Sequence, residues 1–308
     1  MSGWRELAER GRLFPHVALG PLTTYKLGGA ARLLVRLDEP DDLELLYAGL
    51  QETSLPVLVL GRGSNLLISD RGFDGVVVHL GGGFSWVKAE RGRVTAGGAT
   101  FLPVLARTAT RAGEGNLEFF IGIPGSVGGA VHMNAGCHGT ETADVLVEAE
   151  VFDLRDGTRN RRSPIDLEMS YRHSNLSDLE VVTAVEFRTD EVAVETSEAA
   201  LREVSRWRKE NQPGGTLNAG SVFKNPSGDA AGRLIDIAGL KGHTIGSVSV
   251  STKHANFIVA ERDATAQDVF ALVEEVGNLV FERTGVRLTP EIRFAGEFGD
   301  EAVQEGSE

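Results

Sequence analysis

Apolar and polar positions along the first half of the chain follow two different periods. After Pro40, whose fixed φ suits a first helical turn, Leu43, Leu46 and Leu50 share one helical face. A second helix is predicted at Phe101–Ala112. Short apolar runs predict buried strands at Val57–Leu60, Gly75–His79, Leu146–Asp153 and Val181–Phe187. Helices therefore alternate with strands, which favours an α+β or α/β domain over a barrel.

The second half begins with a predicted domain junction at Asp190–Ser197. A helix is expected from Ser197 to the Pro213-Gly214-Gly215 stop, with an apolar face of Leu201, Val204 and Trp207.

The last long helix has a predicted N-cap at Thr265 with Asp268 three residues later, and Gly285 ends it. Its core stripe is Val269, Leu272, Val273, Val276 and Val280. Val286–Phe294 is then predicted as a strand that carries Glu291.

Composition narrows the class of protein. The 308 residues are 41% hydrophobic and 24% charged, as in globular domains, with a net charge of −13. An acidic balance disfavours nucleic acid as a partner. The N-terminus lacks a signal-peptide core and no apolar run reaches membrane-spanning length, so we expect a cytoplasmic protein without a membrane partner.

Metal and disulfide chemistry are not expected. Cys137 is the single cysteine, and we interpret it as a small, partly buried residue. His132 and His138 have no third ligand nearby, so no metal site is predicted.

Two glycine-rich loops are the strongest functional signal. Gly61–Leu66 follows an apolar strand, and Gly122–Ala130 contains four glycines. Glycine allows positive φ and close approach of backbone N–H groups to phosphate. Neither loop fits the Rossmann or Walker pattern, which disfavours a common NAD or ATP site. Each loop alone also fits a tight turn between strands; together with the residues discussed below, the two loops indicate a flavin.

Three separate residues are candidates for chemistry. Ser221 lies in a small-residue stretch that lacks the final glycine of a nucleophile elbow, so it is a candidate proton donor rather than an acyl nucleophile. Arg172 can bind a carboxylate through paired hydrogen bonds. Glu291 follows Pro290. On its own, each also has a structural interpretation, as a turn residue, a surface ion pair and a solvated carboxylate.

In combination, these segments resemble the UDP-N-acetylenolpyruvoylglucosamine reductase (MurB) family of peptidoglycan precursor synthesis. The resemblance covers about residues 23–297. It is carried by six motifs in order: Thr23–Gly29, Gly61–Leu67, Gly122–Gly136, Tyr171–Ser174, Ala219–Pro226 and Leu288–Arg293. The Arg172–Ser221 spacing is similar to the shorter, type II form, without an inserted substrate-clamping loop.

The resemblance implies an α+β fold: a two-subdomain FAD-binding region of the vanillyl-alcohol-oxidase/PCMH type and a C-terminal α+β substrate-binding domain. The expected divisions are an N-terminal helical segment at 1–20, the FAD region at 21–192 with subdomains of about 21–80 and 81–192, the substrate domain at 193–297, and a flexible acidic tail at 298–308.

The resemblance also implies the site residues. Arg172, Ser221 and Glu291 are the expected catalytic residues. Non-covalent FAD is expected to contact Gly61, Arg62, Gly63, Ser64, Asn65, Leu66, Gly122, Ile123, Pro124, Gly125, Ser126, Val127, Gly128, Asn134 and Gly136. Substrate is expected to contact Tyr171, Lys224, Asn225, Arg208 and His254. Arg208 lies on a predicted helix, where a solvated face is the alternative.

The implied reaction uses NADPH as co-substrate and reduces UDP-N-acetylglucosamine enolpyruvate to UDP-N-acetylmuramate. Hydride passes from flavin N5 to the enolpyruvyl methylene carbon, and Ser221 protonates the adjoining carbon. Arg172 pairs with the carboxylate, and Glu291 acts as a protonated donor or orients Arg172. We expect a monomer.

Departures from the family pattern and two alternatives stay open. His132 stands where an aromatic residue is expected, and Cys137-His138 stands where Ala-Tyr is common. The first alternative is another flavoenzyme of this class, such as an oxidase of a small alcohol or hydroxy acid. The second is a nucleotide-sugar sensor without catalysis.

Overall fold

The computed structural model describes residues 3–299, so residues 300–308 of the tail predicted at 298–308 lie outside the described residues. Within that range the helices are α1 Gly3–Glu9, α2 Asp42–Leu50, α3 Leu102–Arg111, α4 Val127–Met133, α5 Thr142–Val145, α6 Val194–Asn211, α7 Ala231–Ile237 and α8 Ala266–Thr284.

The strands are β1 Leu13–Pro15, β2 Ala31–Leu37, β3 Val57–Val59, β4 Leu66–Ile68, β5 Phe73–Leu80, β6 Val87–Glu90, β7 Arg93–Gly97, β8 Gly136–Cys137, β9 Thr140–Glu141, β10 Leu146–Asp153, β11 Arg159–Arg162, β12 Glu180–Arg188, β13 Thr244–Ile245, β14 Val248–Val250, β15 Ile258–Ala260 and β16 Arg293–Ala295.

The first sheet has the order β1-β2-β5-β3, with β2 and β3 parallel to β5. Leu43 and Leu46 of α2 are fully buried against it. Within residues 3–19, the helix α1 is followed by the strand β1. Gly11 turns the chain at φ +67°, and β1 then pairs antiparallel with β2.

The second sheet is antiparallel in the order β11-β10-β12-β7-β6, and α3 and α4 pack on it. The helix α6 begins at Val194, three residues before the predicted start. Its Val204 is buried in this second core, whereas Trp207 is exposed. The helix α6 therefore packs with the second core, and the change of core follows it.

The C-terminal core surrounds α8, and its local signals are confirmed. Thr265 Oγ1 accepts a hydrogen bond from Asp268 N at 3.0 Å, and Gly285 ends the helix at φ +75°. The predicted core stripe of α8 is buried against α7 and the three-stranded sheet β13-β14-β15.

The predicted strand Val286–Phe294 is wrong over most of its length. Pro290 lacks an N–H, and Glu291 N and Ile292 N both donate to Val222 O, at 2.7 and 3.3 Å. Only Arg293–Ala295 forms a strand, β16, which pairs parallel with β4 of the N-terminal half. The C-terminal region is thereby paired with the strand that begins at Leu66, the last residue of the first glycine loop.

Further contacts join the two halves. The buried Tyr25 hydroxyl donates to Ile258 O at 3.0 Å, and Asp70 accepts hydrogen bonds from Ala266 N and Gln267 N at 3.0 and 2.9 Å. Phe298, predicted as the first residue of the tail, packs its ring on Phe270. It therefore belongs to the folded part. Among residues 3–299, no helix combines the length and apolarity needed to cross a bilayer.

Candidate active site

A cavity of about 1170 Å³ is lined by both sheets, the end of α6 and the C-terminal region. This volume exceeds the roughly 300–1,000 Å³ of an ordinary small-molecule site. The cavity therefore has the size for a dinucleotide, or for two ligands together.

The first glycine loop presents unused backbone donors to this cavity. Gly61–Leu66 lines it, and the N–H groups of residues 61–65 donate to no acceptor within residues 3–299. Gly63 has φ +57°, and a Cβ there would lie 2.7 Å from Thr23 Cα. Only glycine fits this turn without displacement.

The second glycine loop lies against the first. Ser126 caps α4 by accepting a hydrogen bond from Gly129 N at 3.3 Å. A Cβ on Gly61 would lie 2.6 Å from the Ser126 Oγ that forms this cap, and a Cβ on Gly125 would lie 3.6 Å from Ser64 Oγ. The two loops therefore meet at one wall of the cavity.

This wall fits the diphosphate of FAD. Consecutive free N–H groups form the concave donor set that binds phosphate oxygens. The Arg62 guanidinium adds positive charge and lies 4.9 Å from the Phe101 ring centroid. The size of the cavity matches the remainder of a dinucleotide. The residues present therefore fit the cofactor that the sequence predicts.

Most predicted FAD residues line the cavity, but two do not. The lining residues are Gly61, Arg62, Gly63, Ser64, Asn65, Leu66, Gly122, Ile123, Pro124, Gly125, Ser126, Gly128 and Gly136. Val127 is buried in the second core. Asn134 is buried, with its amide bonded to Glu141, Ser170 O and Ala143 N. It holds protein atoms in place, and its side chain is not available to a cofactor.

Arg172 lies in the cavity wall in a left-handed backbone conformation, with φ +53°. Its Nε donates to Glu291 Oε1 at 2.9 Å, and its Nη2 donates to Gly136 O at 3.0 Å. The guanidinium also lies 4.9 Å from the Tyr171 ring centroid. These contacts fix the plane of the guanidinium.

Glu291 is positioned by the first glycine loop and by the backbone. Asn65 Nδ2 donates to Glu291 O at 2.9 Å. Burial raises the pKa of the Glu291 carboxyl, and the nearby charges of Arg172 and Lys224 oppose this shift. The net upward direction favours the protonated acid more than in water.

Ser221 lines the same cavity as Arg172 and Glu291. The segment that follows it is held by Asn256, which is buried. Asn256 O accepts from Val222 N at 2.9 Å, its Oδ1 accepts from Phe223 N at 2.9 Å, and its Nδ2 donates to Phe223 O at 2.8 Å. Val222 O in turn accepts from Glu291 N, so the serine and glutamate segments are joined directly.

The predicted substrate residues divide into two groups. Tyr171, Asn225 and Arg208 line the cavity. Burial lowers the pKa of the Arg208 guanidinium, and no carboxylate pairs with it among the described residues. A desolvated cation of this kind suits an anionic ligand.

Lys224 and His254 do not line the cavity. Lys224 Nζ donates to Arg172 O at 3.2 Å, behind the guanidinium. His254 Nδ1 accepts from Asn256 N at 3.3 Å, and its ring lies 4.9 Å from that of Phe257. Both side chains contact backbone groups beside the wall of the cavity.

His132 and Cys137, which depart from the family pattern, both lie in the cavity wall. His132 Nε2 lies 2.7 Å from Arg293 Nη1, so the imidazole accepts and carries its proton on Nδ1. Burial, and secondarily Arg293, lowers the pKa of His132. Burial raises the pKa of the Cys137 thiol to about 11, as expected for an inert cysteine. The described residues contain no cluster of histidine, cysteine or acidic side chains fit for a metal.

Sequence reasoning missed three residues of the site. Glu141 lies 3.4 Å from Arg172, Asn256 holds the serine segment, and Arg293 lines the cavity. The capping sequence at Glu141 is a local signal. The contacts of Asn256 and Arg293 cross more than thirty residues, so no local pattern reveals them.

Two family models match the chain. One, described as the C-terminal domain of UDP-N-acetylenolpyruvoylglucosamine reductase, matches residues 212–295, and one described as an FAD binding domain matches residues 31–161. The start of the first match agrees with the change of core after α6.

Relatives match nearly end to end. UDP-N-acetylenolpyruvoylglucosamine reductase 2 of Symbiobacterium thermophilum is 42% identical over 295 residues, which cover 94% of this chain and 94% of that protein. The reductase of the same name from Rhodopseudomonas palustris is 40% identical, with 93% and 92% covered. The crystal structure of the MurB protein of Thermus caldophilus is 39% identical, with a TM-score of 0.80, and covers 92% of this chain and 99% of that one. The predicted α+β class with an FAD-binding region is confirmed.

Proposed function

The chain belongs to the UDP-N-acetylenolpyruvoylglucosamine reductase family and is an FAD-dependent oxidoreductase, and we propose that it reduces UDP-N-acetylglucosamine enolpyruvate to UDP-N-acetylmuramate with NADPH. The observation that carries the proposal is that Arg172, Glu291 and Ser221 line one cavity. The glycine loops line the same cavity and offer backbone N–H groups to a phosphate. The shorter, type II form, a monomeric state and a cytoplasmic location remain predictions.

The glycine loops and Arg62 would hold the FAD diphosphate by backbone N–H groups and one positive charge. FAD held there would supply hydride transfer, from NADPH to the methylene carbon of the enolpyruvyl group. The protein contributes position, charge and a proton.

Arg172 binds the enolpyruvyl carboxylate. Three N–H groups of the guanidinium are used by Glu291, Gly136 O and Glu141, which leaves two of its five for substrate. A carboxylate held there receives the negative charge that develops when the methylene carbon is reduced. A fixed guanidinium stabilises that charge without reorganising.

Glu291 supports this charge as a neutral acid. A protonated carboxyl accepts from Arg172 Nε through one oxygen and still donates its O–H through the other. The pKa of Glu291, raised by burial, favours this form. Orientation of Arg172 and donation to substrate are therefore compatible roles of one side chain.

Ser221 delivers the proton. Its hydroxyl has no acceptor among the described residues and faces the cavity that holds Arg172 and Glu291. Donation of this proton to the carbon that bears the ether oxygen and carboxylate completes the lactyl ether, and solvent restores the serine proton. Arg208, Asn225 and Tyr171 are the proposed contacts of the nucleotide-sugar, with Arg208 at the diphosphate.

Product analysis tests the function. Purified protein with FAD is given NADPH and the enolpyruvyl nucleotide-sugar without oxygen, and mass spectrometry follows the product. We expect a gain of two hydrogens that requires both substrates. Fast oxidation of the reduced flavin by oxygen, with no need for the enolpyruvyl compound, would instead support the oxidase. Protein that binds the nucleotide-sugar but neither binds FAD nor yields product would support the sensor.

A further inference from the structure

Glu141 lies beside the Arg172 guanidinium at Nη1, whereas Glu291 is bonded at Nε. Glu141 Oε1 is 3.4 Å from Arg172 Nη1. Its Oε2 accepts from Asn134 Nδ2 at 2.9 Å, and its backbone N–H donates to Asp144 Oδ2 at 2.8 Å in the capping box of α5. The carboxylate is therefore fixed before any ligand binds.

Arg172 is shared between two acids in different surroundings. The Glu291 side chain is 16% exposed and the Glu141 side chain is 32% exposed. Two carboxylates that share one guanidinium oppose each other's ionisation, and burial raises the pKa of the Glu291 carboxyl.

We propose that Glu141 is a positioning residue for the reaction: its carboxylate holds the Nη1 end of Arg172 and offsets the charge that this guanidinium presents to Glu291. The inference rests on the function proposed above. Glu141 touches neither of the reacting carbons in this scheme, and it acts only through Arg172.

The charges around Glu291 make the effect predictable. Arg172 and Lys224 face it, and both favour its ionised form. Glu141 offsets the charge of Arg172 at Nη1, and the backbone N–H of Glu141 is bonded to Asp144 of α5. Loss of the Glu141 charge leaves burial alone to oppose Arg172 and Lys224, so ionisation of Glu291 becomes easier.

The test is the pH profile of Glu141→Gln, which keeps the shape and removes the charge. Turnover needs neutral Glu291, so the rate of substrate-dependent flavin reoxidation falls as pH rises through the pKa of Glu291. In Glu141→Gln we expect this alkaline limb to move to lower pH by roughly one unit. A structural role alone would lower the rate without moving the limb.

Two matched variants separate charge from fold. Asp144→Asn removes a carboxylate from the same turn without touching Arg172, and we expect its limb at the wild-type pH. Glu141→Asp keeps the charge on a shorter arm, so we expect a reduced rate with the limb unmoved. An unmoved limb in Glu141→Gln, or an equal shift in Asp144→Asn, would overturn the proposal.

A second readout does not depend on catalysis. Infrared difference spectra of the apoprotein report the C=O band of a protonated carboxyl, which is assigned to Glu291 by its loss in Glu291→Gln. We expect this band to disappear at lower pH in Glu141→Gln than in wild type. Identical band titrations refute the inference alone, whereas wild-type protein that never reduces the enolpyruvyl compound refutes the proposed function.

Discussion

Arg172 shows how much a single residue of this site is constrained. Its backbone is left-handed at φ +53°, a conformation that costs a non-glycine residue roughly 1–2 kcal/mol. Its side chain is held by two carboxylates, a carbonyl and an aromatic ring. Strain that the surrounding structure maintains is typical of a functional position.

Arg172→Lys tests the fork geometry rather than the charge. Lysine keeps the cation but cannot hold Glu291, Gly136 O and substrate at once. We expect kcat/KM for the enolpyruvyl compound to fall by about 10²–10³-fold. Arg161→Lys, on the exposed strand β11, is the control and keeps wild-type kinetics. Wild-type kcat/KM in Arg172→Lys would contradict a role for the paired N–H groups of the guanidinium.

His132→Gln tests a titration. The pKa of folded His132 lies below its ordinary value of 6.5, so the unfolded chain takes up a proton first as pH falls. Stability supplied by neutral His132 is therefore complete above pH 6.5 and is lost as pH falls through the folded pKa. Urea unfolding between about pH 7.5 and pH 5 should show a steeper loss for wild type than for His132→Gln. Parallel curves would contradict this assignment.

At the residue scale, their residue types made Arg172, Ser221 and Glu291 candidates for chemistry. Arg172, Ser221 and Glu291 come together as the resemblance implies, although their roles remain predictions. Lys224 and His254 were expected at the substrate because the diphosphate of a nucleotide-sugar needs cations on an acidic protein. Their side chains turn to backbone partners, a choice made by tertiary contacts that no local pattern contains.

At the scale of elements, helices were predictable because their signals are local. The cap, stripe and stop of α8 all lie within its own residues. The strand predicted at 286–294 failed because its amides are satisfied by Val222 and Asn65, far away in the chain. The start of α6 was placed late because its first turn has no side-chain cap.

Asp70 offers a test of how α8 is held. Its carboxylate accepts from the first two N–H groups of the helix, in addition to the Thr265 cap. Asp70→Ala should lower the free energy of unfolding by about 1 kcal/mol, as for loss of an N-terminal cap. Asp74→Ala removes an acid whose side chain is 87% exposed and should change little. Equal urea midpoints for the two variants would show that Asp70 does not cap α8.

At the scale of the whole molecule, separate cores meet around one cavity. Strand β16 joins the C-terminal region to the first glycine loop, and Asn65 joins that loop to Glu291. Alternation favoured an α+β or α/β domain, and the family resemblance implied the α+β class. They did not predict that the last strand pairs with β4, because parallel pairing across more than two hundred residues leaves no sequence period.

Cofactor binding should therefore stabilise the protein as a unit. FAD at about 100 times its Kd should add about 2.7 kcal/mol to the free energy of unfolding. In Gly61→Ala the new Cβ meets the Ser126 Oγ that caps α4, so this gain should shrink. Gly277→Ala, with only an ordinary contact to Phe223 at 3.7 Å, is the control. Thermal unfolding with and without FAD measures the gain, and an undiminished gain in Gly61→Ala would contradict the placement of the diphosphate.

Stopped-flow absorbance of Ser221→Ala tests the proposed reducing site most directly. Ser227→Ala, at an exposed neighbouring serine, is the control. The account predicts that NADPH bleaches the flavin at the wild-type rate in both variants. Reoxidation by the enolpyruvyl nucleotide-sugar is then slowed by about 10²–10⁴-fold in Ser221→Ala alone. Equal slowing of both half-reactions, or unimpaired reoxidation without the hydroxyl, would contradict the claim that Arg172, Glu291 and Ser221 form the reducing site.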